Sequence, residues 1–412
     1  MTTYPRGSVR ALAHSVATGE LTAVELSETW LGRLRDAHKR TNCVATWNTE
    51  AAMVRAAELD AILAKRGPVG PLHGVPITVK DWIDVGGLPC SAGYVESRDR
   101  IAPRDATVVA RLRDAGAVIM AKTTVQVDSP LFGPVLHPHD PSRSPGASSS
   151  GESAAVAGGG SPVGIGSDSG GSIRLPAAWC GAFGLKPSAG RVPTTGHFPR
   201  VGERVDGRTV IGPIGTNVAD LTEILAIISG PDGRDGGTAP VALGDPADVD
   251  LHSLRVGWTV GDETWTSSPE LAAAVTNAVS DLASLGAVAV RVVDQHLDES
   301  WDITMRYWQR SLLDGAAAER QLTDWDRFRS RALAQWNDVD VIVMPATMTT
   351  APPHRPMEAS DYIFTLPASL TGAPAVVVPA GLEDGLPLSV QVMAAPWADH
   401  IALKVAAALE SR

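Results

Sequence analysis

Two glycine-rich stretches hold the serines best placed to do chemistry: "GASSSGES" from residue 146 carries Ser148, Ser149 and Ser150, and "GIGSDSGGSIRLP" from residue 164 carries Ser167, Ser169 and Ser172. A serine hydroxyl is almost fully protonated near neutral pH, so it attacks a carbonyl only when a positioned base takes its proton. The search is therefore for the base. The chain has six lysines against 29 arginines, and one of the six, Lys80, ends the apolar run "VPITVK". Burial at that point disfavours the ammonium form and lowers its pKa, and a neutral lysine is a base. The alternative for Lys80 is a strand-end side chain that reaches water along its own aliphatic stem. Asp81 would favour the charged form, but successive strand residues point to opposite faces, so the two side chains need not meet.

The second stretch offers what an acyl-transfer site needs besides a base. Glycines at 170 and 171 let successive backbone N–H groups converge on one point, as a developing tetrahedral oxyanion requires. A tight strand-to-helix turn or a phosphate cradle would use glycine too, although no GK[ST] or dinucleotide fingerprint accompanies it.

Elements that position these residues follow from periodicity and caps. Thr22 with Glu25 predicts a capping box for a helix through "AVELSETWLGRLRDAH", and "EAAMVRAAELDAILAKRG" predicts a second helix stopped by Gly67. "GVPITVKD" reads as a strand, and "DATVVARLRDAGAVIMAKT" as a helix, a stop at Gly116 and a strand. "GESAAVAGG" predicts a short helix after the first serine cluster, and "PVGIGSD" a strand that runs into the second. The alternation continues with helix "NVADLTEILAIIS", strand "LRVGWTV", a helix from Ser268 and Pro269, and strand "AVAVRVV". "VDVIVMP", "PAVVVPAG" and "LSVQVMA" are three more apolar strands, and "ADHIALKVAAALE" is a closing helix. This is an α/β chain, expected as a single domain over 1–412, with a helical elaboration at about 295–340 where the pattern is weakest.

Three readings of the serines can be weighed on that frame. "SDSGG" imitates the nucleophile turn of a trypsin-like protease, but that arrangement belongs to an all-β chain. "ASSSG" is a loosened nucleophile elbow with Ser149, lacking its first glycine, and neither His354 nor His400 stands in a recognisable triad context. The third reading joins both clusters to Lys80.

On this third reading the chain resembles the amidase signature family. The likeness is carried by "GVPITVKD", "SPGASSSGESAAVAGGGSPVGIGSDSGGSIRLPAAWCGAFGLKPSAGRVP", "IGPIGTNVADLTEIL" and "LTGAPAVVVPAGLEDGLPLSVQVMA". The resemblance implies a large twisted mixed β-sheet covered by helices on both faces. It also implies a serine, serine, lysine triad: Lys80 as base, Ser148 as a bridge preceded by a cis peptide, and Ser172 as nucleophile. Ser169, Gly170 and Gly171 match the backbone oxyanion hole. A bridging hydroxyl both donates and accepts, which explains why no histidine base is required. Asp168 and Arg174 match positions that hold the signature loops, and Ser149 is expected to bond backbone or substrate, or to cap a helix. Ala147 and Ser150 depart from the family pattern, standing where glycines are common. The variable region before the C-terminal strands is short.

The implied activity is hydrolysis of a carboxylic amide, or of a carbamate as in a urethanase, through an acyl-enzyme. The rival within the family is the glutamine-amidase subunit of a tRNA-dependent amidotransferase, against which Leu175 stands where those subunits are expected to carry glutamine. A non-catalytic scaffold that keeps the fold is the rival from another class.

Composition narrows the partners. A net charge of −11 and the absence of any basic run disfavour a nucleic-acid partner. Cys43, Cys90 and Cys180 are odd in number and form no CxxC pair, so neither a disulfide framework nor a zinc site is expected. "HPHD" with His137 and His139 lacks an acidic companion cluster; no metal and no cofactor are expected. No leader is read in the first twenty residues and no membrane-length apolar run elsewhere, so a cytoplasmic protein acting on a small amide is expected, with a homodimer left open. Finally, Trp301, Tyr307, Trp308, Trp325, Phe328 and Trp336 crowd a chain that is only 5% aromatic. Such a stripe is usually core, but Trp308 is singled out as a wall of an apolar substrate pocket.

Overall fold

The computed structural model describes residues 8–201, 206–291 and 295–412. Its backbone is one mixed sheet of eleven strands. Numbered along the chain these are β1 (Val44–Trp47), β2 (Pro76–Lys80), β3 (Val118–Thr123), β4 (Val163–Asp168), β5 (Phe183–Lys186), β6 (Val210–Gly215), β7 (Arg255–Trp258), β8 (Val288–Arg291), β9 (Val341–Pro345), β10 (Ala375–Glu383) and β11 (Leu386–Ala394). Their order across the sheet is β1-β3-β2-β4-β6-β5-β10-β11-β9-β7-β8. β2 runs parallel to both β3 and β4, which brings the end of the Lys80 strand beside the end of the Asp168 strand. Every residue of β2, β3, β4, β9 and β11 is buried. Since alternate side chains face opposite sides, both faces of the central sheet are covered, as the resemblance implied.

Helices form where caps and periodicity predict them. Thr22 and Glu25 make a reciprocal capping box for the helix Ala23–Thr41, which runs three residues past His38. Gly67 ends Thr49–Arg66 at φ 82°, and Gly116 turns the chain at φ +98° between Thr107–Asp114 and β3. Ser268 caps Pro269–Ser284. The expected helical elaboration contains Leu297–Trp308 and Gly315–Leu333. The strand read in "AVAVRVV" begins one residue late, and its end at residues 292–293 lies outside the described residues, as does the start of the N-terminal stretch and part of "GHFPRVGERVDGRTV".

Two strands beside the site, β5 and β6, were not expected as strands. β6 contains Gly212 and Pro213, residue types that depress strand propensity, yet it pairs with β4 along its whole length. A Cβ at Gly212 would lie 2.2 Å from the Leu185 carbonyl oxygen, so close packing of β5 on β6 requires glycine there.

Candidate active site

Lys80 is wholly inaccessible at the end of β2, so the solvent-reaching alternative does not occur. Its Nζ lies 2.6 Å from Ser148 Oγ, 3.1 Å from Ser167 Oγ and 3.2 Å from the Ser167 carbonyl oxygen. Burial drives its pKa well below the ordinary lysine value, against the pull of Asp168 and Glu152. Asp81 points to the opposite side, as strand alternation requires, and forms an ion pair with Lys122 at 2.8 Å. The indole face of Trp82 covers Lys80, with Nζ 4.2 Å from the ring centroid, and its Nε1 donates to the Ala92 carbonyl at 3.1 Å.

Ser148 follows a cis Ala147–Ser148 peptide. The loop that carries it is tied from several directions. Gln126 N donates to the Ser148 carbonyl at 3.1 Å, and the Ser150 hydroxyl donates to the Gln126 carbonyl, so the serine that replaces an expected glycine anchors the loop. Ser149 precedes the helix Ser150–Ala157 without capping it by its side chain; its hydroxyl donates to the Ser167 carbonyl at 3.3 Å. Its N–H donates to the Ser172 carbonyl at 3.2 Å, which joins the two serine loops.

The glycine turn after β4 is held by Asp168 and Arg174, both fully buried. Their contact is bidentate, Nε to Oδ2 and the terminal nitrogen to Oδ1, each at 3.0 Å. Asp168 also accepts the N–H groups of Ile173 and Arg174, and Arg174 reaches across to the Thr365 carbonyl at 2.7 Å and to Ser369 Oγ at 2.8 Å. Burial opposes ionisation of Asp168, yet the Arg174 charge keeps its pKa below the usual carboxylate value. Removing either partner would leave an uncompensated buried charge, at a cost of about 3–5 kcal/mol.

Within this frame Gly171 sits at φ 142°, and a Cβ there would lie 2.3 Å from Thr365 Oγ1. A Cβ on Gly170 would meet the Trp308 ring at 3.1 Å. Among the described residues, the backbone N–H groups of Ser169, Gly170, Gly171 and Ser172 donate to no protein acceptor. Buried N–H groups are seldom left so, and four in succession make a ready site for a negative oxygen. Ser172 is partly exposed and its hydroxyl faces that of Tyr362.

Ser169 Oγ donates to Asp206 at 3.0 Å, and Tyr307 donates to the same carboxylate at 2.8 Å. Trp308 packs edge-on against Tyr362, ring centroids 5.7 Å apart, and is 38% exposed. The other aromatics of that stretch go elsewhere. Trp301 stacks on Trp265, Phe328 is buried, and Trp325 Nε1 donates to the Leu370 carbonyl, so they build the packing that supports the Trp308 helix.

Other candidates lie apart from this cluster. His137 and His139 each place a ring nitrogen on a backbone carbonyl, those of Trp179 and Cys180, which accounts for them as loop anchors. His354 pairs with the exposed Asp128 at 3.2 Å. The three cysteines are buried and free. Sequence reasoning gave no role to Ser167, Trp82, His197, Asp206, Tyr362 or Thr365. Trp82 stood two residues from Lys80 and could have been read as its cover; the others are brought in by tertiary packing.

The comparisons agree with this geometry. The Amidase family model matches residues 25–323 and 294–403. The chain is 32% identical to an acylamidase of Rhodococcus erythropolis, over 98% of this chain and 95% of that protein. It is 31% identical to the amidase-like component of the glutamyl-tRNA(Gln) amidotransferase of Salinispora tropica, over 100% of this chain and 98% of that protein. The solved structure of 6-aminohexanoate cyclic dimer hydrolase with its substrate superposes with a TM-score of 0.87 at 26% identity, covering 98% of this chain and 97% of that one. With both the glycine turn and the C-terminal strands inside the matched span, the chain belongs to the amidase signature family of amide-hydrolysing enzymes.

Proposed function

We propose that the chain hydrolyses carboxylic amides through an acyl-enzyme on Ser172, with Ser148 as proton bridge and neutral Lys80 as base. The observation that carries this reading is the buried Lys80 Nζ, 2.6 Å from Ser148 Oγ and set among hydroxyls and a carbonyl without a carboxylate contact. Ser172 Oγ forms a bond to the amide carbon as its proton passes to Ser148 and the Ser148 proton passes to Lys80. The carbonyl π electrons move onto oxygen, where the free N–H groups of the Ser169–Gly171 turn receive them. Collapse breaks the C–N bond, and the proton returns from Lys80 through Ser148 to the leaving amine. Water then repeats the sequence and releases the acid. No step calls for a metal or cofactor.

On substrate, the likeness to an acylamidase and the half-exposed Trp308 beside Gly170 favour an aryl or otherwise apolar amide; a phenyl carbamate fits the same chemistry. The likeness to the glutamyl-tRNA(Gln) amidotransferase component supports glutamine as a second reading. Leu175 speaks against it: its side chain is buried and packs on Gly146, leaving no amide group at the position where those proteins are expected to carry glutamine. We read the chain as a single amidase unit working in the cytoplasm on a small molecule, without nucleic acid. Among the described residues no helix is long and apolar enough to cross a membrane. The test is kinetics of the purified chain on an anilide, a phenyl carbamate, acetamide, a malonate half-amide and glutamine. The anilide or carbamate should give the highest kcat/KM, and preference for glutamine would overturn the assignment in favour of the amidotransferase reading.

A further inference from the structure

A histidine stands two hydrogen bonds from Lys80, and its proton can be placed by elimination. His197 is 5% exposed and packs edge-on against Trp82, the same indole whose face covers Lys80. Its Nδ1 lies 2.8 Å from the Pro199 carbonyl oxygen, which can only accept, so Nδ1 carries a hydrogen. Burial pushes the imidazole pKa down to about 4, so near neutral pH the ring is neutral and Nε2 is bare. Nε2 lies 3.0 Å from Ser167 Oγ and must accept the serine's only hydroxyl hydrogen. The Ser167 oxygen can then meet Lys80 Nζ, 3.1 Å away, only as an acceptor.

A neutral amine has two N–H bonds and one lone pair. Here one N–H is taken by the Ser167 hydroxyl oxygen and the other by the Ser167 carbonyl oxygen at 3.2 Å. The lone pair is left for the third neighbour, Ser148 Oγ at 2.6 Å. We propose that His197 is a positioning residue for Lys80: by fixing the direction of the Ser167 hydroxyl it aims the lysine lone pair at Ser148. Without an acceptor at Nε2, the Ser167 hydrogen turns toward Lys80 and competes with Ser148 for that lone pair. The inference rests on the reading of Lys80 as base given above. It assigns work to a histidine that the triad itself does not use.

The test uses a fluorophosphonate, which reports nucleophile activation without knowledge of the substrate. Its maximal labelling rate and half-saturating concentration are measured for the wild type, His197→Phe, His197→Gln, Ser167→Ala and the His197→Phe/Ser167→Ala double variant. His197→Phe keeps a ring against Trp82 but removes the acceptor, and should lower the maximal rate about 10- to 100-fold with little change in half-saturation. His197→Gln restores an acceptor oxygen and should recover most of the rate. Ser167→Ala alone should also slow labelling, and the double variant should be no worse than the poorer single variant, because both remove the same hydrogen bond. If His197→Phe unfolds, Ser167→Ala and His197→Gln still carry the test. Equal rates for Phe and Gln, losses that multiply, or a Ser167→Ala variant at wild-type rate would overturn the proposal. A wild type that is labelled elsewhere than Ser172, or not at all, would instead sink the catalytic reading on which it rests.

Discussion

Lys80 and Lys122 are the same residue type, on paired neighbouring strands, each wholly inaccessible, and their surroundings are opposite. Lys122 meets the Asp81 carboxylate at 2.8 Å and the Pro89 carbonyl, partners that suit an ammonium ion. Lys80 meets two hydroxyls and a carbonyl, partners that suit an amine as well as an ion. One position holds a charge in place; the other is arranged so that a charge can come and go. The difference is set by strand alternation, which sends Asp81 toward Lys122 and leaves its neighbour without a carboxylate contact.

The comparison breaks most sharply under substitution. Ser172→Ala and Lys80→Met should each lower kcat by about 10⁴-fold or more, measured on an anilide, while Ser148→Ala should cost less because water can take the place of its hydroxyl. Lys80→Met should leave the thermal midpoint unchanged or raised, since it removes a buried amine whose solvation is only partly replaced. Lys122→Met should do the reverse. It strands Asp81 in the interior at a cost of about 3–5 kcal/mol, so the midpoint falls, while the folded fraction turns over near the wild-type rate. Equal stability losses for the two methionine variants would erase the distinction.

How much of this was legible beforehand depends on how locally each feature is encoded. Lys80, the serine loops and the glycine turn lie within short stretches whose residue types state their chemistry. The opposed directions of Lys80 and Asp81 follow from the period of a strand. β6 was missed because Gly212 and Pro213 lower strand propensity, and only packing against Leu185 explains the glycine. His197 lies 117 residues from Lys80, and nothing in "TTGHFP" announces that its ring will meet Ser167. Tyr362 and Thr365 come from the far end of the chain, where Thr365 closes on the Gly170 carbonyl through a sheet connection that no local pattern shows. The aromatic stretch was legible as a helical region, but which ring reaches the site was set by the helix's tertiary docking.

Two pH profiles sharpen the contrast. Lys80 deprotonates well below the ordinary lysine range because it is buried, so kcat/KM should rise about tenfold per pH unit until that group is neutral and then level off. Glu152 is a buried acid whose pKa is pushed up from 4.5 to about 7 by burial, despite the hydroxyls of Thr78 and Thr123. The folded state therefore keeps a proton that the unfolded state has released. Its contribution is fully present below about 4.5 and is lost as pH rises through about 7, so denaturation midpoints should fall across that window and Glu152→Gln should flatten the profile. The smallest effect expected is that of Trp308→Ala: a several-fold rise in KM for the anilide relative to acetamide, with the thermal midpoint near wild type. Loss of stability with unchanged preference would make Trp308 a packing residue only.

The most direct measurement of the central claim is peptide mapping of the protein after reaction with a fluorophosphonate, in the wild type and in Lys80→Met. The account predicts a single adduct on Ser172 in the wild type and almost none in the variant, with both proteins folded. An adduct on Ser169 or Ser149, or undiminished labelling of Ser172 in Lys80→Met, would contradict it.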